Sequence, residues 1–68
     1  MITYKILKDG HPIGQAKGKF KAVEALKRHL SSFGYTNADC VWSILPSENI
    51  ECKATSNGLE SVFSIERE

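Results

Sequence analysis

The chain has 68 residues, a net charge of +1, and 41% hydrophobic against 25% charged residues, ordinary globular values that exclude a disordered chain. Its apolar runs fall far short of the ~18 residues of a spanning helix, and Met1 leads straight into an alternating segment rather than a signal peptide. The expectation is one cytoplasmic domain, residues 1–68, whose small core buries roughly 60% of the unfolded surface, with Cys40 and Cys52 too few for a disulfide framework and read as reduced, mostly buried thiols.

Ile2 to Lys8 sets Ile2, Tyr4 and Ile6 against Thr3, Lys5 and Leu7, the alternation of a half-buried strand. Asp9-Gly10 supplies a two-residue hairpin turn, and its register places Lys8 opposite His11 and Ile6 opposite Ile13. Pro12 has no N–H, which assigns the returning strand to a sheet edge. Phe20 to Phe33 is the one amphipathic helix of useful length. At about 100° per residue, Ala22, Val23, Leu26, Leu30 and Phe33 share one side, and Lys21, Glu24, Arg28 and Ser32 the other. Glu24 and Arg28, four residues apart with the acid first, form a favourable helix pair. Gly34 suits a left-handed C-terminal cap, and Gly18 or Lys19 the N-cap.

Ala38 to Leu45 alternates Cys40, Trp42 and Ile44 with Val41, Ser43 and Leu45; Trp42, the largest apolar anchor, is expected beneath the helix. Pro46 to Asn49 forms a short loop, and Ile50 to Ser56 alternates again. Asn57-Gly58 is the strongest hairpin signal in the chain, pairing Ala54 with Ser61, Cys52 with Phe63 and Ile50 with Ile65.

The order is therefore ββαβββ, a single small α+β domain with one helix packed on one face of a mostly antiparallel sheet. The expected core is Ile2, Tyr4, Ile6, Ile13, Val23, Leu26, Leu30, Phe33, Trp42, Ile44, Cys52, Phe63 and Ile65. In element order the chain resembles a β-grasp, the fold of ubiquitin and of the immunoglobulin-binding domains of bacterial surface proteins. It ends Ile65-Glu66-Arg67-Glu68, without the Gly-Gly that a ubiquitin-like or sulfur-carrier role requires. A hairpin followed by a three-stranded meander, all antiparallel, fits the same pattern.

No nucleophile, base and orienting group can be nominated together, so catalysis is not expected. His11, His29, Cys40 and Cys52 do not stand at the short spacings of structural zinc ligands, and no metal or cofactor is expected. Charge is uneven: residues 1–34 carry a net +5 and residues 35–68 a net −4, a layout that can steer a charged partner unless the halves interleave in one sheet. Lys17, Lys19, Lys21, Lys27 and Arg28 lead into the helix and along it. Lysines at a helix N-terminus oppose its dipole, for which phosphate contact is one reason and a solvated, solubilising face another. No aromatic interleaves them for base stacking. Leu7, Val41, Leu45 and Val62 share the sheet face away from the helix, either as one patch or singly.

The expected function is a non-enzymatic small binding module of the kind phage and mobile elements use to dock on and inhibit a host macromolecular complex, anti-CRISPR-like in size and layout. Its partner would be a protein or nucleoprotein complex, with no membrane, and the chain itself a monomer or weak homodimer. The alternative is a nucleic-acid-binding module using the five basic residues.

Overall fold

The computed structural model describes residues 2–47 and 49–68. The chain runs through β1 (Thr3–Lys8), β2 (His11–Lys17), α1 (Lys19–Ser32), a 3-10 turn (Asn37–Asp39), β3 (Cys40–Ile44), β4 (Ile50–Ser56) and β5 (Leu59–Arg67). Both predicted tight turns form, with φ of 51° and 85° at Asp9 and Gly10 and of 54° and 80° at Asn57 and Gly58. Two successive positive φ values make the turn whose twist matches the flanking strands. The β4–β5 register is the expected one. In the first hairpin Lys8 does face His11, but Ile6 faces Gly14 rather than Ile13, so a bulge falls between them. A physical reason lies above: the His29 ring approaches to 3.2 Å from where a Cβ on Gly14 would sit. The bulge brings the residue without a side chain under the helix.

The sheet order is β2-β1-β5-β4-β3, with every neighbouring pair antiparallel. Of the two layouts the sequence allows, this is the hairpin plus meander. β1 and β5 form the central seam, where Lys5 stands opposite Glu66, so the basic and acidic halves meet there. The seam is locked at the first turn: the Asp9 N–H donates to the Val62 carbonyl at 2.7 Å, and Asp9 Oδ1 accepts the Val62 N–H at 2.9 Å.

The helix starts at Gly18, which has no side-chain cap, and ends in a left-handed turn at Gly34. There the Gly34 N–H donates to the Ser31 carbonyl and the Tyr35 N–H to the Leu30 carbonyl, each at 3.0 Å, satisfying carbonyls that the helix leaves free. Thr36 and Asp39 then organise the 3-10 turn, the Asp39 carboxylate accepting the Thr36 N–H at 2.9 Å. The strand expected from Ala38 therefore begins only at Cys40. The expected Glu24–Arg28 ion pair does not form within 4.0 Å.

Ala22, Leu26 and Leu30 are the buried face of α1. They join Ile6, Ile50, Cys52, Ala54, Phe63 and Ile65 in one core, against which Tyr4, Ile13 and Val23 pack half-buried. The helix lies chiefly on β2, β1 and β5. A helix about 10 Å across, over strands ~4.8 Å apart, roofs two or three strands and not five. That width overturns part of the expected core. Trp42 and Ile44, on β3, do not lie beneath the helix and are exposed; Ile2, which precedes β1, and Phe33, at the helix C-cap, are exposed because they sit at the ends of their elements. Phe33 caps the helix instead, its ring 5.9 Å from that of Phe63 and under Lys8 Nζ at 5.4 Å. Ile50 and Ala54, read only as an apolar strand face, are core residues, and Leu7 is buried outside that cluster. The expected Pro46–Asn49 loop includes Glu48, which with Met1 lies outside the described residues; the Leu45 N–H closes the loop on the Asn49 carbonyl at 2.8 Å.

Candidate functional site

Four isoleucines, one from each of four neighbouring strands, lie in register across the helix side of the sheet: Ile6 on β1, Ile65 on β5, Ile50 on β4 and Ile44 on β3. Their exposures are 0%, 1%, 8% and 74%. The chemistry of the row is constant, and only the roof ends. In the next row Phe63 and Cys52 are fully buried, while Trp42, at the same register on β3, is 38% exposed. The apolar pattern of a core thus continues one strand past the element that covers it.

The step between helix and uncovered strand is a groove. A hollow of about 330 Å³ is lined by Val23, Trp42, Ser43, Ile44 and Ile50. Through Val23 and Ile50 it runs on into a second hollow of about 410 Å³ walled by Lys19 and Phe20. Phe20 occupies the first turn of α1 at 79% exposure. Lys19 is the only charged side chain on either hollow's lining among the described residues. Sequence reasoning missed this site because it assigned Trp42 and Ile44 to the core. The available signal was arithmetic: five strands and one helix leave apolar strand residues without a cover.

The five basic residues are all exposed, but the fold divides them. Lys17, Lys21 and Arg28 line one hollow of about 640 Å³ between β2 and α1, together with Gln15, Glu24 and Phe20, so an aromatic does stand among the basic residues, contrary to the sequence expectation. Lys27 lies on the other flank of the helix, beside Leu30, Tyr35 and Cys40. Lys19 turns to the apolar groove. Three of the five are brought together, with one carboxylate among them.

Among the described residues, the paired rows of the face away from the helix mix apolar with polar and charged residues. Across the strands Val41, Lys53 and Val62 stand in one row, and Ser43, Glu51, Ser64 and Leu7 in the next, so charged residues of β4 separate the apolar ones. Cys52 is buried and Cys40 half-buried, both as free thiols. Burial, with Cys40 as neighbour, pushes the Cys52 thiol up to about 12, which leaves it un-ionised near neutral pH. His29 stacks over Gly14 and His11 is exposed at the first turn. Among the described residues no three His, Cys, Asp or Glu side chains gather where a metal could be held.

No helix among the described residues is long and apolar enough to cross a membrane. Comparison with protein-family models, with curated proteins and with solved structures found no match for this chain.

Proposed function

We propose that this chain is a non-enzymatic binding module that docks on a protein partner through the groove between α1 and β3. The observation that carries this reading is the uncovered end of the isoleucine row, Ile44, joined through Val23 and Ile50 to the hollow walled by the exposed ring of Phe20. Contiguous apolar surface of this kind, rimmed by polar residues, marks interaction sites on small proteins. The groove is apolar apart from Lys19 at its end near the helix N-terminus. It suits a segment that presents large apolar side chains and places a carboxylate toward Lys19. Inhibition of a host macromolecular complex, in the manner of phage and mobile-element proteins such as anti-CRISPRs, is the form of docking we propose, supported by small size and layout.

The test is capture from bacterial lysate with the purified chain and with Phe20→Glu and Ile44→Lys as baits. Both positions are solvent-exposed, so both variants fold. A protein retained by the parent and lost from both variants supports the reading. Central apolar anchors are worth about 2 kcal/mol or more, roughly a 30-fold loss of affinity. Capture of nothing above a blank resin rejects it.

A second reading rests on the hollow shared by Lys17, Lys21 and Arg28, which we propose as a phosphate-backbone contact for nucleic acid. Its signature is affinity that falls steeply with salt and is lost on Lys17→Glu with Lys21→Glu. Unshifted mobility of both DNA and RNA at low salt rejects it. Glu24 in the same hollow weakens the positive field there.

A further inference from the structure

The two edges of the sheet are built differently. Edge strands offer unpaired N–H and C=O groups, and proteins blunt them with proline, bulges and charge. β2 has all three, in Pro12, the irregularity at Ile13 and Lys17. β3 reads Cys-Val-Trp-Ser-Ile and pairs with β4 without interruption. It has no charge, no proline and no bulge.

The direction of its free backbone groups follows from the hairpin. Leu45 and Asn49 are hydrogen-bonded, and in an antiparallel pair bonded and non-bonded positions alternate. Ser43 and Val41 therefore bond to β4, while Trp42 and Ile44 turn their N–H and C=O outward. The Cys40 N–H is already taken by the Asn37 carbonyl.

We propose that β3 pairs antiparallel with β3 of a second copy of this chain, across a two-fold axis at Ser43, joining the two sheets into one. In this register Trp42 stands opposite Ile44 of the second copy, and Ile44 opposite its Trp42. Every outward N–H and C=O of these residues finds a partner. On the helix side a large apolar residue meets another, and on the opposite face Val41 meets Leu45. Ser43, the smallest side chain of the strand, meets itself on the axis, where opposed Cα atoms come closest, ~4.5 Å. The competing register centred on Trp42 sets two indoles against each other and offers Ile44 a Cys40 whose N–H is already bonded. Only a residue on or next to the two-fold axis stands near its own copy, where like charges repel, and β3 carries no charged residue there.

The contact is made by the outward backbone groups and facing side chains of β3; Trp42 and Ile44 also line the groove, and Phe20, which lines the groove but is not on β3, separates the two. Five paired residues bury less than the roughly 1,200 Å² of a standard interface, so the dimer is weak and concentration-dependent. Sedimentation velocity across roughly 10 μM to 1 mM reads it as a rise in mass from monomer toward dimer. Ile44→Pro deletes an outward N–H, leaves the bonds to β4 intact and keeps the chain monomeric throughout. Phe20→Glu, in the groove but off the edge, dimerises like the parent. Ser43→Cys under mild oxidation gives a covalent dimer at least about ten-fold faster than Ser32→Cys on the exposed helix, since two cysteines at a non-bonded antiparallel pair reach disulfide distance. This comparison stands even if Ile44→Pro fails to fold. A parent chain that stays monomeric at the top of the series overturns the proposal. So does Ser43→Cys linking no faster than Ser32→Cys, which puts any dimer contact elsewhere.

Discussion

Removing one methyl group at successive positions of the isoleucine row measures directly where the helix stops covering the sheet. Ile65→Val, Ile50→Val and Ile44→Val are the same chemical change in residues that are 1%, 8% and 74% exposed. A buried Ile→Val substitution costs about 0.5–1.5 kcal/mol, the scale of one methylene removed from a packed interior, whereas exposed substitutions stay within about 0.5 kcal/mol. A chain of this size has a total stability of about 3–10 kcal/mol, and each kcal/mol moves its Tm by about 4–8 °C. Ile65→Val therefore lowers Tm by about 2–12 °C, Ile50→Val by nearly as much, and Ile44→Val by less than either and by about 4 °C at most. Thermal unfolding followed by circular dichroism, at protein concentrations too low for self-association, reads the series, and urea midpoints at unchanged m-value check it. A loss at Ile44 equal to that at Ile65 would show that the last residue of the row is covered in the free chain. The groove, and the function proposed for it, would then disappear.

Two further outcomes follow from the side-chain chemistry. The Asp9 carboxyl is held below its ordinary 3.8, first by the hydrogen bond from the Val62 N–H. A carboxylate whose folded pKa is depressed contributes stability above the unfolded value and loses it as pH falls through the folded one. Asp9→Asn keeps a residue that tolerates the left-handed turn but removes the charge, so the variant is less stable than the parent near neutral pH and the gap closes in acid. A gap that stays constant from about pH 7 to about pH 2 contradicts the linkage. For the thiols, a maleimide or disulfide reagent at neutral pH modifies the half-buried Cys40 first and reaches the buried Cys52, pushed up to about 12, only after denaturant is added. Equal rates in the native chain contradict the burial of Cys52.

The features that were legible in the amino-acid order are those decided by near neighbours. Asp9-Gly10 and Asn57-Gly58 form the tight turns their residue types demand, and the second of them sets the β4–β5 register by itself. The apolar stripe of Ala22, Leu26 and Leu30 and the cap at Gly34 are read from helical spacing and from one glycine. The basic residues were visible as a run, but a run in sequence is not a cluster in space: a helix turns its residues about 100° apart, and α1 sends Lys19, Lys27 and the Lys21–Arg28 pair to three different flanks.

The β4–β5 register, the helix and the one-helix, five-strand content were thus contained in the sequence, because each depends on contacts a few residues apart, whereas the first hairpin keeps only its Lys8–His11 pair and β2 runs on to Lys17. The position of the helix on the sheet was not. It depends on how β2, Gly14, His29 and the β1–β5 seam come together, and these span nearly the whole chain. Alternation along β3 shows that Trp42 and Ile44 share a face but not whether anything lies on it. Only the tertiary structure reveals that one helix, about two strands wide, rests over β2, β1 and β5 and leaves both residues in the open.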